Sequence, residues 1–197
     1  MQRNGHDVFC FVLVHGSTAM RSLTMQRNKR ANSECSNQCS VSTRRANTIK
    51  VFITLLHAMT YCLAIHVNDG FVLCSDSRTN AGVDQISRFS KMRIFHRDGD
   101  RVIVVLSSGN LSITQNVLST LEQRMRSGES ALSLMNAPSM FDIARLVGDA
   151  LREIKTRDGA YLSQNNIDSS ANFIVGGQVR GEPPRLFQVY GEGNFIE

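Results

Sequence analysis

The chain has no Gly-x-Ser-x-Gly elbow, and His57, His66 and His96 have no Asp or Ser arranged about them, so a serine triad has no support. Five cysteines, an odd number at irregular positions, exclude a disulfide framework. Cys62 and Cys74 fall inside predicted strands and read as buried thiols of a reducing compartment. Cys35 and Cys39 have loose metal-ligand spacing, but no second Cys or His pair follows at zinc spacing, which leaves them in a solvated loop. Gly191-Glu192-Gly193 opens like a dinucleotide-binding loop, lacks the third glycine and the following helix, and is a turn. Long apolar runs are also missing. The best candidate, residues 51 to 67, follows basic Arg44, Arg45 and Lys50 as a signal peptide or anchor would. It is interrupted by His57 and His66 and falls short of the roughly 20 residues a span requires. A secreted or membrane-tethered protein is therefore the weakest reading.

A basic surface for nucleic acid is absent too, although the formal net charge is +5. Residues 1 to 59 hold eight Lys+Arg against two Asp+Glu, and residues 60 to 197 hold fourteen against fifteen. The excess sits outside the patterned part of the chain, which has no bias towards phosphates. What is present is ordinary: 197 residues, 42% hydrophobic and 20% charged, the totals of a globular protein with one sizeable core.

Residues 1 to 50 mix Ser, Asn, Arg and Gln around one short apolar run, 8 to 14, and read as a disordered extension. From Tyr61 the pattern sharpens. Two apolar strands, 61 to 67 and 71 to 75, flank Asn68-Asp69-Gly70, a hairpin cue in which glycine supplies positive φ. Residues 79 to 90 are polar and loop-like. A third strand over 91 to 95 turns at Arg97-Asp98-Gly99-Asp100 into a fourth over 102 to 106, whose apolar residues on both faces predict a sheet covered on both sides. One helical stripe joins Thr114, Val117, Leu118, Leu121 and Met125 and stops at Gly128. A second, capped by Ser139 with Asp142 three residues on, joins Met140, Ile143, Ala144, Val147, Leu151 and Ile154 and closes at Asp158-Gly159. Strands over 171 to 176 and 185 to 190 follow. Strands, two helices and strands again give an α+β sheet with helices on one face.

Thr60 opens this pattern and Asp76 closes its first hairpin. If Thr60 were the first residue of a chain, its α-amine, with a pKa near ~7.7 to 8.0, could take the proton of its own hydroxyl. With preceding residues attached, that nitrogen is an amide and no base.

At Thr60-Tyr-Cys-Leu-Ala-Ile-His-Val-Asn-Asp-Gly-Phe-Val-Leu-Cys-Ser-Asp-Ser-Arg the sequence resembles the proteasome β-subunit family of N-terminal threonine hydrolases. The runs Asp76-Ser-Arg-Thr-Asn-Ala-Gly82, Ser108-Gly-Asn-Leu-Ser-Ile-Thr-Gln115 and Gly181-Glu-Pro-Pro-Arg-Leu-Phe187 resemble its bacterial branch Anbu, the ancestral β subunit, in which threonine directly follows an initiator Met as Thr60 follows Met59. The likeness covers 59 to 197. It implies a four-layer αββα sandwich of the N-terminal nucleophile hydrolase type, truncated at the C-terminus, where the family's later Ser, Asp and Ser would come; the pattern itself leaves the second helical layer to be supplied either by a longer chain or by a partner. The likeness also makes residues 1 to 58 a spurious extension from an upstream start codon. By the same resemblance Thr60 is nucleophile and base, and Lys91 steadies the developing alkoxide while Asp76 holds the ammonium. Gly109 supplies an oxyanion N–H, Ser107 and Ser108 shape the substrate pocket, and Arg78 is a structural ion-pair partner near the site.

The function implied is a cytoplasmic threonine peptidase subunit that self-associates into a ring or spiral homo-oligomer and cuts peptide or unfolded-protein substrates. No metal, organic cofactor, nucleic acid or membrane is involved in that reading. The alternative from another class is a non-catalytic scaffold or assembly subunit of the same fold.

Overall fold

A computed structural model of the chain describes residues 8–14, 21–28, 50–56, 60–67, 70–76, 78–80, 86–88, 90–127 and 132–197; for 8–14, 21–28, 50–56, 60, 78–80 and 86–88 it describes the backbone alone. Two compact units result, Met1–Met92 and Arg93–Glu197.

The first unit is built on β1 (Val8–Val14), β2 (Arg21–Asn28), β3 (Lys50–Leu56), β4 (Thr60–Val67) and β5 (Gly70–Asp76), which form one sheet in the order β2-β1-β5-β4-β3. Every neighbouring pair is antiparallel. The β4–β5 hairpin is the one the sequence predicts. Its Asn68 and Asp69 lie outside the described residues, and Gly70 has a φ of 145°. Register pairs Cys62 with Ser75, Ala64 with Leu73 and His66 with Phe71, so these six share one face. The His66 and Phe71 rings stack at 4.5 Å, and Cys62, Ala64, Phe71, Leu73 and Ser75 are buried.

Several expectations change here. Residues 1 to 50, read as lacking regular structure, contain β1 and β2 and the first residue of β3. The run 8 to 14 is too short to show a period, but it is rich in Val and Phe, and β5 offers it a ladder of unpaired backbone groups to pair with. The polar stretch 79 to 90 holds most of a two-stranded ribbon of β6 (Arg78–Asn80) and β7 (Ile86–Arg88). Cys35 and Cys39 fall outside the described residues. The candidate anchor 51 to 67 contributes most of β3 and all of β4, and among the described residues no helix is long and apolar enough to cross a membrane.

In the second unit β8 (Met92–Arg97), β9 (Arg101–Gly109), β10 (Ala171–Val179), β11 (Arg185–Val189) and β12 (Phe195–Ile196) follow the order β12-β11-β10-β9-β8. Lys91, predicted within a strand, immediately precedes β8. Gly99, at φ 67°, makes the turn into β9, where Asp100 N donates to Arg97 O at 3.0 Å. Every residue from Arg101 to Ser108 is buried, as a strand apolar on both faces requires.

Helix α1 (Leu111–Arg126) starts where Asn110 Oδ1 accepts the Ile113 N–H, and it buries Ile113, Thr114, Val117, Leu118 and Leu121. Ser127 caps its end, and the Gly128 expected to stop it is outside the described residues. Helix α2 (Met140–Gln164) has the predicted cap, with Ser139 Oγ accepting the Asp142 N–H at 3.0 Å, and all six residues of its predicted stripe are buried. It does not close at Gly159. Its last turn is a Schellman motif: Asn166, at φ 56°, and Ile167 donate backbone N–H groups to the Ser163 and Leu162 carbonyls at 3.0 and 2.9 Å. A glycine costs a helix about 1 kcal/mol relative to alanine, too little to end 25 residues that bury a continuous stripe. Gly148 on the same helix is used differently. A Cβ there would lie 2.2 Å from the Gly193 carbonyl oxygen, in the turn to which Arg152 and Lys155 also donate.

These two glycines predict opposite substitution effects. Gly159→Ala, with open space around it, raises stability by about 0.5–1 kcal/mol, and Gly148→Ala lowers it by about 1–3 kcal/mol. Urea denaturation midpoints of the two variants measure the difference, and a destabilising Gly159→Ala would place a break in α2 after all.

Candidate active site

The end of β5 carries the first element of the site. Asp76 has both carboxylate oxygens on the Lys91 ammonium, at 3.0 and 2.9 Å, and Oδ1 also accepts the Tyr61 backbone N–H at 2.9 Å. The Lys91 and Asp76 side chains are only 8% and 14% exposed. Removing two charges from water is costly, and the arrangement offsets that by placing three N–H contacts on one carboxylate. Losing either partner leaves an uncompensated charge, at about 3–5 kcal/mol. The ammonium is therefore held in place beside the start of β4.

Cys62 sits next to this pair, on the buried face of β4. Burial pushes its thiol up from 9.0 to about 12; the Asp76 carboxylate adds to the shift and the Lys91 ammonium opposes it. A thiol so shifted is neutral at physiological pH and has no nucleophilic role there.

Thr60 is the first residue of β4, one position before the N–H that Asp76 holds, and its backbone pairs with Leu56 of β3. Its nitrogen in this chain is a peptide amide. Arg78, for which the backbone alone is described, lies in β6.

The second unit carries the other predicted residues at the end of β9. Ser107, Ser108 and Gly109 are consecutive, so Ser107 and Ser108 occupy opposite faces of the sheet. Both are buried, and the Ser108 hydroxyl is 3.4 Å from the Asn172 carbonyl oxygen. Gly109 has a φ of 104°, and a Cβ there would lie 2.3 Å from the Ser170 carbonyl oxygen, so no side chain fits. Asn110 N donates to that same oxygen at 2.7 Å, while Gly109 stands opposite Ala171. That register makes Gly109–Ala171 a non-hydrogen-bonded pair.

The Tyr61 N–H has no side-chain signature in a sequence and could not be anticipated as a partner of Asp76. The support behind Gly109 did leave one: Asp168 two residues before Ser170 is an Asx-turn spacing. Among the described residues no group of three or more His, Cys, Asp or Glu could hold a metal ion.

The shifted thiol sets a pH window. The folded-state value lies above the unfolded one, so the Cys62 contribution is fully present below about 9 and is lost as pH rises towards about 12. Chemical denaturation between pH 8 and 11 should show stability falling, and Cys62→Ala should flatten that fall. An unchanged slope in Cys62→Ala would mean that the thiol is not the group responsible.

No protein-family model matches the chain, and no curated protein matches it. Solved structures do. A helical assembly of the Anbu complex from Pseudomonas aeruginosa is 47% identical, with a TM-score of 0.65 over 70% of this chain and 56% of that one. An Anbu (Gly-1) mutant from Hyphomicrobium sp. strain MC1 is 44% identical, with a TM-score of 0.61 over 70% and 55%. Anbu, the ancestral beta-subunit, from Yersinia bercovieri is 40% identical, with a TM-score of 0.56 over 76% and 55%. The chain thus spans just over half the length of the proteins it matches. Identity at this level, together with a backbone that superposes and two helices and two main sheets, shows that the chain belongs to the Anbu branch of the proteasome β-subunit family.

Proposed function

We propose that this chain is a proteasome-type threonine peptidase subunit that hydrolyses peptide bonds in a self-assembled cytoplasmic complex. The observation that carries the reading is the closed Lys91–Asp76 pair, anchored on the N–H that follows Thr60. An ammonium held there stabilises the alkoxide that develops when the threonine hydroxyl attacks a peptide carbonyl. The freed α-amine takes the hydroxyl proton and returns it to the leaving amine. Gly109 N–H receives the oxyanion of the tetrahedral intermediate, and water then releases the acyl group from Thr60 Oγ. Of Ser107 and Ser108, which lie on opposite faces of β9, one borders the pocket for the substrate side chain, and Arg78 is structural. Neither a metal nor an organic cofactor takes part.

In the same reading the functional subunit begins at Met59, whose removal by methionine aminopeptidase exposes Thr60, and residues 1 to 58 precede its natural start. The domain is the four-layer αββα sandwich of the N-terminal nucleophile hydrolases. Self-association into a ring or spiral is supported by the helical assembly of the Pseudomonas aeruginosa Anbu complex. The in-chain Thr60 amide, with its backbone partner Leu56, favours a second reading for the uncut chain: a non-catalytic scaffold or assembly subunit.

A threonine-directed electrophile separates the two. Protein cleaved ahead of Thr60 should carry the adduct on Thr60 by peptide mapping, and the uncut chain should carry none. Lys91→Ala in the cleaved protein should lower the labelling rate by about 10²–10³-fold, the loss typical of one transition-state charge donor. Adducts elsewhere, or equal labelling of cut and uncut chains, would end the peptidase reading. Normal assembly with no effect of Thr60→Ala on any activity would select the scaffold.

A further inference from the structure

Gly109 packs against a segment that has no part in the chemistry described so far. The Schellman end of α2 delivers the chain into residues 167 to 170, where Asp168 folds back on Ser170: its Oδ1 accepts the Ser170 N–H at 2.9 Å and its Oδ2 accepts the Ser170 hydroxyl at 2.5 Å. The Ser170 carbonyl oxygen accepts the Asn110 N–H at 2.7 Å and occupies the space where a side chain on Gly109 would sit. Asn110 closes the loop from the other side. Its Oδ1 caps α1 by accepting from Ile113 N, and its Nδ2 donates to the Asp168 carbonyl oxygen at 2.7 Å. The Gly109–Asn110 peptide is thus held by the Ser170 carbonyl, and the Asn110 side chain joins the start of α1 to the segment that follows α2.

We propose that Asp168, acting through Ser170, is a positioning residue that aims the Gly109 N–H. The inference rests on the reading in which that N–H stabilises an oxyanion. It adds a part that lies 59 residues further along the chain from the donor and touches no substrate. The physical reason is that the Gly109 conformation, at φ 104°, is not one the strand imposes. Glycine moves freely among backbone conformations, so the peptide needs an external contact to select one. The Ser170 carbonyl is that contact: it holds the Gly109–Asn110 peptide and, through the Gly109 Cα, limits how the preceding peptide, which carries the Gly109 N–H, can turn, while Asp168 fixes the Ser170 residue from its other side. A carboxylate taking both the N–H and the hydroxyl of Ser170 makes two charge-assisted bonds to one residue, a stiffer support than neutral partners provide.

The test uses the full chain and nuclear magnetic resonance of assigned amides. In Asp168→Ala the Asn110 amide should exchange with solvent about 10-fold faster and the Gly109 N–H resonance should move, since hydrogen bonds to a charged group are lost. Val104 and Val105, in the core of the same strand, should keep wild-type exchange. Asp168→Asn retains an acceptor for the Ser170 N–H and should restore most of the protection, and Ser170→Ala, losing the hydroxyl alone, should fall between. Unchanged Asn110 exchange in Asp168→Ala overturns the proposal. So does a rise shared by Val104 and Val105, which would report general destabilisation, and so does an Asp168→Asn variant as unprotected as the alanine. Failure of Thr60 to label in cleaved wild-type protein is a separate result that ends the peptidase reading and leaves this comparison of amides intact.

Discussion

The contact between Lys91 and Asp76 is the constraint on which the first unit's chemistry depends. Both side chains are largely withdrawn from water, so the pair is worth having only while complete. Completeness here takes three N–H contacts on one carboxylate, and the third comes from the backbone of Tyr61. The arrangement ties the end of β5, the start of β4 and the residue ahead of β8 to one point. It also sets the charge environment of Cys62, whose thiol is pushed up by burial and the carboxylate together. A nucleophile beside such a pair meets a fixed positive charge, and a fixed charge needs no reorganisation when the reaction begins.

The second constraint is covalent. A threonine inside a polypeptide has an amide nitrogen that binds no proton near neutral pH, whereas a chain-terminal threonine has an amine that titrates near ~7.7 to 8.0. The same side chains around position 60 therefore mean different things in the two states. In the uncut chain β3 pairs with β4 and Leu56 stands opposite Thr60, an arrangement that suits a structural strand. In the proposed reading a chain beginning at Thr60 would use the Asp76–Lys91 pair in catalysis. Membership of the Anbu family holds in both cases, because it rests on identity and backbone similarity over 70–76% of the chain and not on the state of one nitrogen.

What the sequence revealed of the fold follows the strength of its periodic signals. The stripes of α1 and α2 are legible nearly residue for residue, as are the cap at Ser139 and the turn at Gly99. Asp158-Gly159 looks like a stop, yet α2 continues through it to Gln164. An asparagine can take the left-handed conformation that the true stop at Asn166 uses, but it is a weaker mark than glycine. The strands at 8 to 14 and 21 to 28 were missed for a different reason: their stability lies in pairing with β5 and with each other, a non-local gain that no local pattern reports. In the site, Asp76 and Lys91 were named through resemblance, fifteen residues apart and with nothing in their spacing to join them. Tyr61 acts through a backbone atom, which every residue carries and no sequence distinguishes.

Residue order by itself determined the two helices and the longer strands of 60 to 197, because burial of a stripe or a face is a periodic demand written into successive side chains; the short β6–β7 ribbon carries no such pattern. It determined too that a threonine stands ahead of a hairpin ending in an acid. Only the tertiary structure decided that the acid closes on Lys91, that the carbonyl of Ser170 fills the space beside Gly109, and that α2 runs through its second glycine. These are contacts between groups far apart in the chain, and their energies depend on distance in space and exposure to water, quantities that a linear sequence does not contain.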